Sequence, residues 1–185
     1  MPRQVRHSRS AGASVRPTLA RVRDALFNSL DARIPGAQLL DLFAGTGSLG
    51  LEALRRGADA VVFVEQDSKS VQEIRRHLAV AGLVEQAEVW RRDVLAAIRD
   101  LGQAGRRFEV IVMDPPYGRE WIGPTLRAVL AAGILAPGGV VVAEGHWRDR
   151  PEPPPGLVLR REARYGETAL WYFEESAQEG RSGTP

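Results

Sequence analysis

Apolar and polar positions follow two alternating periods from residue 18 to residue 175. In "TLARVRDALFNSL", Leu19, Val22, Leu26 and Leu30 share one helical face, and Thr18 is the expected N-cap. "QLLDLF" is a short apolar run ended by the glycines of "AGTGSLG", and "SLGLEALRRG" then reads as a helix stopped by Gly57. The order recurs. "AVVFVE", "AEVWRR", "FEVIVMD" and "GGVVVAE" read as strands, with "SKSVQEIRRHLAVAG", "VLAAIRDLG" and "WIGPTLRAVLAAG" as the helices between them. Strands rich in Val and Ile on both faces, separated by helices, predict an α/β fold with a doubly wound, mostly parallel sheet. "RPEPPPG" reads as a stiff crossing loop, and "LVLRREARYGETALWYFEE" as an antiparallel hairpin turning at Tyr165-Gly166.

Composition narrows the organisation. With 185 residues and 44% apolar residues, the chain supports one core. It divides into a basic, flexible arm over residues 1–15, a domain over 16–174 and a disordered tail over 175–185. There is no cysteine, and His7, His77 and His146 are scattered without metal-ligand spacing, so no metal site is expected. No run approaches the roughly 20 apolar residues of a membrane span, which leads to an expectation of a cytoplasmic protein with no membrane partner.

Charge is uneven. The first 23 residues hold six arginines and no acid, a pattern shared by solvated arms, organelle transit peptides and phosphate-binding arms. Guanidinium forks suit nucleic-acid backbones, so Arg16, Arg21 and Arg23 are candidate phosphate contacts.

Ligands of doubly wound sheets bind at the C-terminal strand ends, where strand order reverses. Asp41, the glycine turn, Glu65, Asp93, "DPPY" and Glu144 all fall at or just beyond such ends. Gly45-Thr46-Gly47-Ser48-Leu49-Gly50 fits a nucleotide-binding turn, and Glu65 follows Gly47 by 18 residues, where a ribose-binding acid is expected. A structural turn, an NAD(P) site and an S-adenosylmethionine site all share that logic. Asp41 favours the last, because a carboxylate beside a pyrophosphate is repulsive whereas it suits a cationic amino-acid moiety. Asp93 is either a contact for the cofactor's adenine or the N-cap of the next helix. Glu144 either lines the pocket or meets solvent.

Asp114-Pro115-Pro116-Tyr117 adds the reactive chemistry. The exocyclic amine of a nucleobase is a poor nucleophile because its lone pair is delocalised into the ring. Acceptors aimed at its two N–H bonds favour the pyramidal form; Asp114 can supply one and the Pro115 carbonyl the other, held by the fixed φ of proline. Tyr117 offers a face for base stacking, worth roughly 1–3 kcal/mol. The plainer alternative is a proline-stiffened turn with a buried tyrosine.

Taken together, "RPTLARVRDALFNSL", "LLDLFAGTGSLGLEALRRGA", "VVFVEQD", "VIVMDPPY" and "RYGETALWYFE" resemble the bacterial RsmD-type methyltransferases over residues 16–174. The resemblance implies a Rossmann-like class I methyltransferase fold that uses S-adenosylmethionine. It further implies methylation of N2 of a 16S rRNA guanine, guanine 966, with 16S rRNA or the small ribosomal subunit as partner; the sequence leaves the oligomeric state open, with the monomer slightly favoured. By it, Asp41, Gly45, Gly47, Glu65 and Asp93 hold the cofactor, and Asp114, Pro115 and Tyr117 hold the base. Members of that family usually begin with a glycine- and basic-rich hairpin, whereas "MPRQVRHSRSAGASV" is shorter and lacks a strand pair. Two other activities fit the motifs: adenine-N6 methylation of DNA or RNA, and non-catalytic RNA binding or ribosome assembly on a Rossmann-like fold.

Overall fold

The computed structural model describes residues 15–116 and 120–176. Tyr117, the arm before residue 15 and the tail after residue 176 lie outside the described residues. The elements are α1 (Val15–Ser29), β1 (Gln38–Leu42), α2 (Ser48–Arg55), β2 (Ala60–Glu65), α3 (Ser68–Ala81), β3 (Ala87–Arg91), α4 (Val94–Gln103), β4 (Phe108–Met113), α5 (Ile122–Ala132), β5 (Leu135–His146), β6 (Leu157–Tyr165) and β7 (Thr168–Glu175).

Two boundaries differ from the sequence expectation. Helix α1 starts at Val15, so Thr18 lies inside it and is not its N-cap. Pro17 falls in the first turn, where the N–H it lacks would have no intrahelical partner. Strand β5 starts at Leu135 and not at Gly138. Leu135 pairs with Phe108, and the register shifts before Val110 meets Val140. Pro137-Gly138, which reads locally as a turn, is therefore taken up as an irregularity within a longer strand.

The seven strands lie in the order β3-β2-β1-β4-β5-β7-β6. The first five run parallel, and β6 and β7 form the antiparallel hairpin that closes the edge. Helices cover both faces. Leu40, Leu42, Val62, Val64, Ile111 and Met113 pack toward α4 and α5, whereas Leu39, Val61, Phe63, Val110 and Val112 pack toward α1, α2 and α3. Burying each such side chain contributes roughly 1.5–3 kcal/mol, so the central strands are apolar in both phases. Asp41 is the exception within β1. Among the described residues, no helix is long and apolar enough to cross a membrane.

Strand order reverses between β1 and β4, which lie side by side although β2 and β3 come between them in sequence. The crevice above that junction is where such sheets bind ligands.

Candidate functional site

The turn after β1 is built around one left-handed non-glycine residue. Phe43 has φ 60, Gly45 φ 54 and Gly47 φ 77. Such a conformation is unfavourable for a bulky residue, and here it swings the chain sharply out of β1. Ala44 N–H donates to the Val64 carbonyl at 3.0 Å, fastening the turn to β2.

Gly47 is the N-cap of α2 and has no side chain with which to cap it. Asp41 serves instead. Its Oδ2 accepts the Gly50 N–H at 2.9 Å, satisfying one of the four N–H groups that a helix start leaves open. Gly50 must also be small, since a Cβ there would lie 2.2 Å from the Phe63 ring. The third glycine of the turn is thus a packing requirement between α2 and β2.

Glu65 ends β2 and braces the same turn. Its Oε2 accepts the Gly45 N–H at 2.8 Å and its Oε1 the Asp67 N–H at 2.8 Å. Each oxygen keeps a second lone pair. Asp93 caps α4, with Oδ1 accepting the Ala96 N–H at 3.0 Å, so the helix-capping role considered for it is present.

A pocket of about 300 Å³ opens above β1, β2 and β4. Glu65, Asp93 and Asp114 are its acidic lining, Arg92 is its one basic residue and is paired with Asp100, and Phe43, Val94, Pro116 and Trp121 are its apolar walls. Phe43 and Trp121 meet in a tilted pair with centroids 5.8 Å apart. Asp41 and Gly47 lie behind this lining: Asp41 is 1% exposed and Gly47 is buried against Ile74.

Side-chain phase collects four carboxyls on the α1–α3 face of the sheet. Asp41 follows Leu39, Glu65 follows Phe63, Asp114 follows Val112 and Glu144 follows Val142, each two positions on and therefore on the same face. Burial pushes Asp41 up to about 7, opposed by the Gly50 hydrogen bond and reinforced by the charges of Asp114 and Glu65. Burial pushes Glu144 up to about 8, with a further contribution from Asp114. Burial also pushes Asp114 up to about 6, although this residue keeps solvent contact and Asp41 does not. Its shift therefore corresponds to less free energy than that of Asp41. None of the four forms an ion pair among the described residues. No group of three His, Cys, Asp or Glu side chains among the described residues is arranged to hold a metal.

The arrangement therefore suits an organic ligand that carries positive charge and has a flat ring to fit the apolar walls. S-adenosylmethionine meets both conditions.

Of the remaining candidates, Pro115 is buried at the end of β4, Arg21 is exposed and Arg23 is half-buried on α1, and Arg16 lies in the first turn of that helix. The sequence reading missed Phe43 and Trp121 and left Glu144 undecided. Glu144 is 7% exposed, which removes the solvent-facing alternative. A larger concavity of about 770 Å³ lies between the start of α5 and the β5–β6 connection. It sets Arg127, Arg148 and Arg150 against Glu120, Asp149 and Glu152 and contains no predicted site residue.

A family model described as "Conserved hypothetical protein 95" matches residues 3–174, a match that begins ahead of the Arg-Pro-Thr segment at residue 16. The chain is 34% identical over 167 residues to Ribosomal RNA small subunit methyltransferase D of Escherichia coli (strain K12), covering 89% of this chain and 81% of that protein. It is 33% identical over 138 residues to the protein of the same name from Haemophilus influenzae, covering 74% and 70%. Among solved structures, a hypothetical protein of Thermus thermophilus matches with a TM-score of 0.73 and 33% identity, covering 90% of this chain and 92% of that one.

Proposed function

The chain belongs to the RsmD-type methyltransferase family, and from that premise we propose that it methylates N2 of a guanine in 16S ribosomal RNA using S-adenosylmethionine. One observation carries the reading. Asp41, Glu65, Asp114 and Glu144 share one face at the strand-order reversal, unpaired with any cation among the described residues. When bound, S-adenosylmethionine supplies an electrophilic methyl group.

The chain's own residues do the rest. Glu65 accepts the ribose hydroxyls with its free lone pairs while its others hold Gly45 and Asp67. Asp93 offers its second oxygen to the adenine amine, and Phe43, Val94, Pro116 and Trp121 enclose the ring. Asp41 holds the turn through Gly50 and adds negative potential from below.

Asp114 and the Pro115 carbonyl accept the two N–H bonds of the target amine. That keeps its lone pair out of the ring and aimed at the methyl, which supplies the proximity contribution. Tyr117 is assigned to stacking the base. Burial and the neighbouring Asp114 push Glu144 up to about 8, which favours a neutral carboxyl there and ionisation of Asp114 as the acceptor. The transferred methyl makes the amine acidic, and its proton passes to Asp114.

The clamp by itself accepts guanine N2 or adenine N6. The names of the Escherichia coli and Haemophilus influenzae relatives, both small-subunit rRNA methyltransferases, favour small-subunit rRNA as substrate and hence a cytoplasmic site of action, and the choice of guanine N2 rests on the family resemblance. Nucleoside mass spectrometry after reaction with naked 16S rRNA and with small-subunit particles tests the assignment. N2-methylguanosine is the expected product. N6-methyladenosine would transfer the site to adenine, and no methylated nucleoside would overturn both readings.

A further inference from the structure

A groove of about 520 Å³ runs between α1, α2 and α3, outside the pocket described above. Arg23, Arg55, Arg76 and His77 line it, together with the hydroxyl residues Thr46 and Ser48. No acidic residue is in its lining. The contrast with the larger concavity is direct: there three arginines face three acids, so the surface compensates itself.

Two of the three arginines have no neutralising partner among the described residues. Arg56 pairs with Glu52 at 2.7 Å, yet Arg55, its neighbour on α2, makes no ion pair among the described residues, nor does Arg23. Arg76 reaches only Glu73, at 4.0 Å and on an exposed surface, where such pairs are weak. Arg23 Nε is buried with no hydrogen-bond partner among the described residues. A buried donor left open is costly, and a ligand oxygen in the groove would satisfy it.

The groove starts at the glycine turn. His77 Nδ1 lies 3.4 Å from the Thr46 carbonyl, linking α3 to the loop that frames the cofactor pocket. From Ser48 to Arg55 the helix advances about 10 Å. A linear polyanion lying there would thus pass from the edge of the site down the flank of the domain. At its far side stands α1, which carries exposed Arg21 and leads back to the basic arm.

We propose that this groove binds the phosphodiester backbone of the substrate RNA, with Arg23, Arg55 and Arg76 each facing phosphate oxygens. It rests on the RNA-methyltransferase reading and adds to it a surface remote from the target base. Guanidinium forks fit phosphate oxygens in pairs, and backbone contacts of this kind fix register on the nucleic acid without reading its bases.

The test is the salt dependence of binding to 16S rRNA transcribed in vitro, with methyl transfer measured alongside. Arg55→Gln/Arg76→Gln should lower the slope of log affinity against log salt by about 0.7–0.9 per lost contact and leave S-adenosylmethionine affinity unchanged. Arg55→Lys/Arg76→Lys should recover most of the slope. If the wild type methylates 16S rRNA and the Gln variant keeps the full slope, the groove assignment is overturned while the enzymatic reading stands. A wild type that binds with a slope the Gln variant loses, yet methylates nothing, supports the groove and overturns the enzymatic reading. No salt-dependent binding by the wild type overturns both.

Discussion

Asp114 and Glu144 stand side by side at the ends of adjacent parallel strands. The β4–β5 register pairs Met113 with Ala143, so the next position on each strand brings the two carboxyls together. Burial raises both, Asp114 to about 6 and Glu144 to about 8, and repulsion between them makes the pair lose its two protons in separate steps. Single-turnover methyl transfer should therefore rise with pH through about 6, as Asp114 becomes an acceptor. Glu144→Gln should keep that limb and Asp114→Asn should lose it. A limb that follows Glu144 and ignores Asp114 would reverse the assignment.

Asp114→Ala should retain S-adenosylmethionine and lose methyl transfer by about 10²-fold, the scale of removing one preorganised electrostatic partner. The loss belongs in the chemical step, since the amine would be left conjugated. Rapid-quench kinetics at saturating RNA measures it, and an undiminished rate would remove Asp114 from the clamp. Tyr117→Phe should be mild, because stacking needs the ring, whereas Tyr117→Ala should raise the KM for RNA.

Glu65→Ala should weaken S-adenosylmethionine binding by roughly 1.5–3 kcal/mol, the range for charge-assisted hydrogen bonds. It also releases the Gly45 and Asp67 N–H groups, so some of the loss is a loosened turn. Titration calorimetry gives the affinity directly. Unchanged affinity would leave Glu65 as a brace for the turn alone.

Asp41 links cofactor binding to pH. Its folded-state value of about 7 lies above the ordinary 3.8, so between those values the folded protein holds a proton that the unfolded chain has lost. Stability contributed by Asp41 is therefore present at low pH and falls as pH rises through about 7. Asp41→Asn keeps an acceptor for Gly50 and should flatten the decline in Tm between about pH 4 and pH 7. A cationic ligand should also drive proton release, visible as buffer-dependent binding enthalpy near pH 7 in the wild type and reduced in Asp41→Asn.

Gly50→Ala should destabilise the fold by about 1–3 kcal/mol, the usual cost of overpacking, because the added Cβ would meet the Phe63 ring at 2.2 Å. Phe63→Leu in the same chain should recover part of the loss by clearing the space. Urea denaturation measures both, and an additive double variant would show that the two positions do not touch.

Much of this was legible in the sequence, for local reasons. A strand buried on both faces is apolar in both phases, so "QLLDLF" and "FEVIVM" announced a covered parallel sheet, and one acid among those leucines marked Asp41 as out of place. Proline and glycine carry their conformational limits with them, so the glycine turn within residues 44–50 and the stiffened end of β4 could be located. The failures had equally local causes. Pro137-Gly138 looks like a turn from its own neighbours and becomes strand only because Leu135 finds Phe108. Trp121 and Phe43 carry no periodic signal, since both lie at element ends.

The alternation of elements, the order in which they occur and the residue types waiting at each strand end can all be read along the chain. Those depend on periodicity and on backbone limits that each residue carries alone. Strand register came with folding: Leu39 lies opposite Val110 and Val110 opposite Val140. From that register follow the meeting of Asp41, Asp114 and Glu144 on one face and, through the docking of α1, α2 and α3, the joint groove of Arg23, Arg55 and Arg76. Register between strands distant in sequence is set by the packing of the whole core, because a shift of one residue would exchange the side chains fitted against α1, α2 and α3 with those fitted against α4 and α5.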